Sequence, residues 1–108
     1  MLAIEKYIKA LRLADKAVKQ RAHANLGIAR CYALLGENSV ARAYYEEARK
    51  LYQQEQDRLG EANVLLGLGD LERKLGQNEA ARRNYEEARK LFQSMGMEPA
   101  NDPYTSQS

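Results

Sequence analysis

Gly36–Leu51 reads GENSVARAYYEEARKL, and Gly76–Leu91, forty residues on, reads GQNEAARRNYEEARKL. Eleven of the sixteen positions are identical in the two copies. A duplication at this period points to an array of helical hairpins, each burying its apolar side on the next. Such arrays present surfaces more often than reactive groups, so the repeat bears on function as well as on fold.

Outward from the repeat, everything is helical in character. The two prolines, Pro99 and Pro103, both lie in the last ten residues, and the chain before them is rich in Ala, Leu, Glu, Arg and Lys. The pattern predicts an all-α fold of about five helices, stacked as antiparallel hairpins. The first spans about Ala3–Val18 or a little more, with Ala3, Tyr7, Ala10, Leu11 and Ala14 on one stripe. The second spans about Ala22–Leu35, with Leu26, Ile28, Ala29, Tyr32 and Leu35 inward. Gly36 ends it, and Asn38 or Ser39 opens the third, which runs to about Glu55 with Ala41, Tyr45, Ala48, Leu51 and Tyr52 inward. The fourth covers about Gly60–Leu75 and stops at Gly76. The fifth, about Asn78–Met95, repeats the third, with Ala81, Tyr85, Ala88, Leu91 and Phe92 inward. One repeat domain over 1–95 and an irregular tail over 96–108 follow. The junction Gln53–Gly60 holds no proline and reads equally as a loop or as a continuous helix.

Lys and Arg total 17 against 15 Asp and Glu, a formal net charge of +2. Residues 1–54 carry +5 and residues 55–108 carry −3, but no basic face is concentrated enough to make nucleic acid the expected partner. No apolar run is long enough to span a membrane, and the opening residues interleave charge with apolar side chains, unlike a secretory signal. A single cysteine excludes an internal disulfide and fits a reducing, cytoplasmic setting.

The spacing of small and aromatic residues resembles the tetratricopeptide repeat. The first full unit, about 22–55, matches at Ala29, Tyr32, Gly36, Ala41, Tyr45 and Ala48. The second, about 60–95, matches at Gly69, Gly76, Ala81, Tyr85 and Ala88, but Glu72 stands where the family has an aromatic. Ala3, Tyr7 and Ala10 repeat the second-helix spacing, so the chain reads as opening with a half unit over 3–18. The forty-residue period is similar to the extended variety of the family found in motor light chains, cell-polarity adaptors and bacterial signalling proteins. The resemblance implies a TPR-like α-solenoid whose concave groove takes a peptide or helix of a partner protein. It places His23, Leu26, Arg30, Ala33 and Leu34 in that groove, followed by Asn63, Leu66, Asp70, Arg73 and Lys74. The subgroup that grips a terminal carboxylate has Lys and Asn where this chain has Leu26, Arg30, Leu66 and Asp70, so that ligand is not expected.

Catalysis is not expected either, and neither a cofactor nor a metal. His23, the one histidine, lies eight residues from Cys31 on one helix, about 12 Å apart along the axis. Cys31 reads as a small packing residue and His23 as a surface or junction residue. Glu46–Glu47 and Glu86–Glu87 point about 100° apart and read as solvated faces. Gly67 and Gly69 read as positions of close helix packing, and Tyr44 as the exposed member of the tyrosines. The leading expectation is a non-enzymatic scaffold for protein or peptide binding. One rival is a self-associating structural fragment or engineered array, a homodimer formed through Ala81, Tyr85 and Phe92 or by a domain swap across Gln53–Gly60. The other is a nucleic-acid adaptor using Lys6, Lys9, Arg12, Lys16, Lys19 and Arg21. A tail folded back through Met95, Met97 and Tyr104 is a further way to cover the last helix.

Overall fold

A computed structural model describes residues 2–97, and within them the chain forms four helices and no strand. They are α1 (Leu2–Leu34), α2 (Asn38–Gln54), α3 (Arg58–Lys74) and α4 (Asn78–Ser94). The count differs from the five expected because the helices foreseen at Ala3–Val18 and Ala22–Leu35 are one. The residues between them, Lys19, Gln20 and Arg21, include neither a glycine nor a capping side chain, and all three favour helix. The half unit is therefore a 33-residue helix's N-terminal part. At 1.5 Å per residue α1 is about 50 Å long, twice the length of the others.

The remaining elements follow a rule shorter than the forty-residue echo. A residue with left-handed backbone recurs every twenty positions: Gly36 and Gly76 at φ 79°, Gln56 at 55° and Gly96 at 72°. At each of these turns the next amide donates back five residues, Glu37 to the Tyr32 carbonyl, Asp57 to Tyr52, Gln77 to Glu72 and Met97 to Phe92, at 2.8–2.9 Å. These bonds satisfy carbonyls that the helix ends would otherwise leave unpaired. The Gln53–Gly60 junction is thus broken by a tight turn at Glu55–Asp57, and Asp57 caps α3 by accepting from the Gly60 amide at 2.9 Å. Glu37 and Gln77 occupy the corresponding cap positions of α2 and α4 without a side-chain bond, so neither Asn38 nor Ser39 acts as the cap.

Hairpin α1–α2 packs on hairpin α3–α4 through α2 and α3. Ala41, Tyr45, Ala48, Leu51 and Tyr52 of α2 are buried as expected, against Ala22, Leu26 and Ala29 of α1 and Val64, Leu68 and Leu71 of α3. Ala62 and Leu65 join Ala88 and Phe92 in a second core between α3 and α4. Ala81, Tyr85 and Phe92 are only 0, 3 and 6% exposed, covered within the chain, so they form no open face for a second copy. Met95 packs on this core, whereas Met97 is exposed and Tyr104, with the rest of the expected tail beyond Met97, lies outside the described residues. The inward positions expected along α1 and its end divide: Leu26 and Ala29 are buried, while Ile28 and Leu35 are 38 and 74% exposed. Cys31 is exposed as well, because no element covers that side of α1. Ala14 is also exposed, and the side chains of Ala3, Tyr7, Ala10 and Leu11 lie outside the description.

Candidate functional site

Helix α3 carries three glycines that receive three tyrosine rings. A methyl group on Gly60 would enter the Tyr52 ring, one on Gly67 the Tyr45 ring, and one on Gly69 would crowd Tyr85. Gly67 and Gly69 thus do the close packing their sequence suggested, and the missing side chains let α2 and α4 approach α3 from either side. Tyr45 is thereby held at the floor of a cleft of about 580 Å³ between α1 and α3.

The cleft's walls come from the last turns of two parallel-placed helices. Arg30, Ala33 and Leu34 stand on the α1 side, and Asp70, Leu71, Arg73 and Lys74 on the α3 side. Lys74 Nζ donates to the Ala33 carbonyl at 2.9 Å, tying the walls together at one end. The Tyr85 hydroxyl donates to Asp70 Oδ1. Burial, and then this bond to a carboxylate, push the Tyr85 hydroxyl up to about 12. Burial likewise raises Tyr45, with Arg30 opposing and Asp70 adding to the shift. The cleft therefore presents three cations and an apolar lip at Ala33 and Leu34, and its one carboxylate is held by a tyrosine.

Of the residues expected in the groove, Arg30, Ala33, Leu34, Asp70, Arg73 and Lys74 meet in this cleft. The other four are elsewhere. Leu26 is buried in the first core, and Leu66 packs on the second. His23 turns to α2, where Nδ1 shares a 2.6 Å hydrogen bond with the Tyr52 hydroxyl and the two rings meet edge to face. Asn63 is half-buried on α3, forty residues after His23. Sequence reasoning missed Tyr45 and Gly67 as lining residues; the pairing of a large side chain with a glycine was the available signal.

It also missed a polar cluster on the other side of α3. Glu72 is buried, and its carboxylate accepts from Arg42 at 3.2 Å and from Asn84 at 2.6 Å. Arg42 also donates to Gln77 at 3.1 Å. Two turns farther along the same face of α2, Arg49 reaches Glu61 at 3.5 Å and Glu87 at 3.0 Å. Both arginines lock the two hairpins together. Tyr44, expected to be exposed, is half-buried and stacks on Tyr32 with ring centroids 5.7 Å apart.

Among the described residues no three His, Cys, Asp or Glu side chains are grouped to hold a metal ion. No helix among them is long and apolar enough to cross a membrane. No curated protein and no solved structure gives a significant match to the chain. A family model described as the tetratricopeptide repeat matches residues 20–94, the span that holds both cores and the cleft, and the chain belongs to that family.

Proposed function

We propose that the chain is a non-enzymatic scaffold of the extended, forty-residue variety of its family. It binds a partner protein through the α1–α3 cleft. The observation that carries this reading is the placement of Arg30, Arg73 and Lys74 around an open cleft whose only carboxylate, Asp70, already accepts from Tyr85. Such a site favours an acidic segment with one apolar side chain to lie on Ala33 and Leu34. Electrostatic attraction would bring the segment in, and the apolar contact would hold it. A reducing, cytoplasmic setting suits the exposed thiol of Cys31.

Fluorescence anisotropy against acidic and basic peptides, each with and without a central leucine, tests this reading. Acidic leucine-containing peptides should bind saturably. Arg30→Glu with Lys74→Glu should abolish binding while leaving the helical signal intact, since both residues are exposed. Equal binding of basic peptides would overturn the reading. Leu66→Asp is unsuitable as a probe, because Leu66 supports the second core.

A nucleic-acid reading keeps one supporting observation. Lys6, Lys9, Arg12, Lys16, Lys19 and Arg21 are all exposed on α1. Binding to a mixed nucleic-acid pool that weakens steeply with salt, alongside no peptide binding, would favour it.

A further inference from the structure

The two hairpins carry the same positions forty residues apart, and one face of α1 is treated differently from its copy on α3. On α3, Val64, Leu68 and Leu71 are buried by α2, and Gly67 receives the Tyr45 ring. Their counterparts on α1 are Ala24, Ile28, Cys31 and Gly27. All four are exposed, and nothing lies within 4 Å of where a Gly27 methyl would sit. Tyr32 and Leu35 continue this open apolar groove.

The molecule itself shows what covers such a face. On α3 it is an antiparallel helix with Ala41, Tyr45, Ala48 and Leu51 at spacings of four, three and three. The same spacing and residue types occur once more, as Ala3, Tyr7, Ala10 and Leu13. That third copy lies on α1 itself. Because α1 is continuous, position 7 is twenty residues from Gly27, about 30 Å along one straight helix. It cannot fold back onto the face it matches. Ile8 and Leu13 on this segment are exposed, Leu13 at 58%.

We infer that two copies of this chain pair through α1, antiparallel, residues 3–14 of each lying on the Ala24–Leu35 face of the other. The register follows from the α2–α3 contact, in which Tyr45 meets Gly67 and Tyr52 meets Gly60. Carried over, position 7 lies over Gly27 of the second copy, and position 14 lies over Gln20. Both pairs are symmetric about position 17, which puts the exposed Ala17 on a two-fold axis where two backbones can approach. Each copy gives and receives the same surface, so the pairing closes as a dimer and leaves no unpaired end on α1. The α1–α3 cleft uses Arg30, Ala33 and Leu34, on another side of the same end of α1, and shares no lining residue with the docking face.

Sedimentation velocity on the full chain from about 1 to 100 μM, a range that brackets ordinary homodimer affinities, should show a dimer. Gly27→Arg should weaken the dimer by roughly tenfold to a hundredfold. The folded chain has open space at this position, so the variant's helical signal and thermal midpoint should hold or rise. In a Cys31→Ser background, Ala17→Cys should be joined to its own copy by a short bismaleimide, and Glu46→Cys, on exposed α2 surface, should not. A monomer throughout the concentration range would overturn the inference. So would a dimer indifferent to Gly27→Arg, or one that cross-links at position 46 and not at position 17.

Discussion

Hairpins α1–α2 and α3–α4 are built on one pattern, yet they close differently at matching positions. In the first, Tyr32 and Tyr44 stack with their planes 12° apart. Forty residues later the same two positions hold Glu72 and Asn84, joined by a 2.6 Å hydrogen bond. Both members of the pair have changed together, from ring on ring to carboxylate on amide. The first pair lies on the open side of α1, where half-buried rings suffice. The second lies between α2 and α4, where Arg42 reaches across from the other hairpin to Glu72 at 3.2 Å. An aromatic pair can only close its own hairpin, whereas a carboxylate can also hold the neighbouring one. The polar pair therefore sits where two units meet.

Breaking the two closures should have unequal effects. Glu72→Ala leaves Arg42 and Asn84 without their shared acceptor in a largely dry position and should cost about 2–3 kcal/mol. Tyr32→Ala loses a stacked, half-buried ring and should cost about 1–2 kcal/mol. Urea unfolding of both variants measures the difference, and equal losses would remove the distinction between a closure inside a unit and one between units. The exchange experiment is sharper. Glu72→Tyr and Asn84→Tyr should each destabilise alone, and together they should recover about 0.5–1.5 kcal/mol through stacking. Strict additivity in this double-mutant cycle would mean that the two positions do not act as a pair.

The same mismatch explains what could be read from the amino acids. Helices α2 and α4 were legible because the Ala–Tyr–Ala spacing repeats, and Gly36 and Gly76 marked the ends of α1 and α3, whereas the turn after α2, at Gln56, carries no glycine and left Gln53–Gly60 open. The break foreseen before Ala22 rested on a motif match alone, without any residue at 19–21 able to stop a helix. In the cleft, Arg30, Asp70, Arg73 and Lys74 were legible as differences on a repeated scaffold. His23, Leu26 and Leu66 were misplaced because a helix rotates 100° per residue, which turns those positions toward α2 and the cores. Glu72 was visible as a departure from the repeat. Its meaning required noticing that Asn84 departs at the position that faces it.

The tyrosines that meet α3 give a second contrast between the hairpins. An unfolded tyrosine titrates near 10, and Tyr85, buried and bonded to Asp70, is pushed up to about 12. Between those values the unfolded chain has lost a proton that the folded chain keeps. Stability from this residue is thus fully present below about pH 10 and is lost as pH rises toward 12. Thermal midpoints from pH 8 to 12 should fall over that window, and Tyr85→Phe should flatten the fall. Tyr45→Phe should flatten it less, because burial there is opposed by Arg30, and Asp70 acts on it through its charge without a hydroxyl bond. Identical profiles for the two variants would remove the Tyr85–Asp70 hydrogen bond from the account.

The smallest expected effect lies in the turn between the hairpins. Both turns inside hairpins place glycine in the left-handed conformation, at Gly36 and Gly76, but the turn joining them uses Gln56 at φ 55°. A side chain there costs about 1 kcal/mol relative to glycine. The next residue offsets that cost, since Asp57 caps α3 through the Gly60 amide, an interaction worth about 1 kcal/mol. Neither turn inside a hairpin has such a cap. Gln56→Gly should therefore raise stability by about 1 kcal/mol, and Asp57→Ala should lower it by a similar amount. Chemical denaturation of the two single variants and their combination separates the contributions. If Gln56→Gly gains nothing while Asp57→Ala still loses, the left-handed strain at position 56 is already relieved within the turn, and the cap alone sets where α3 begins.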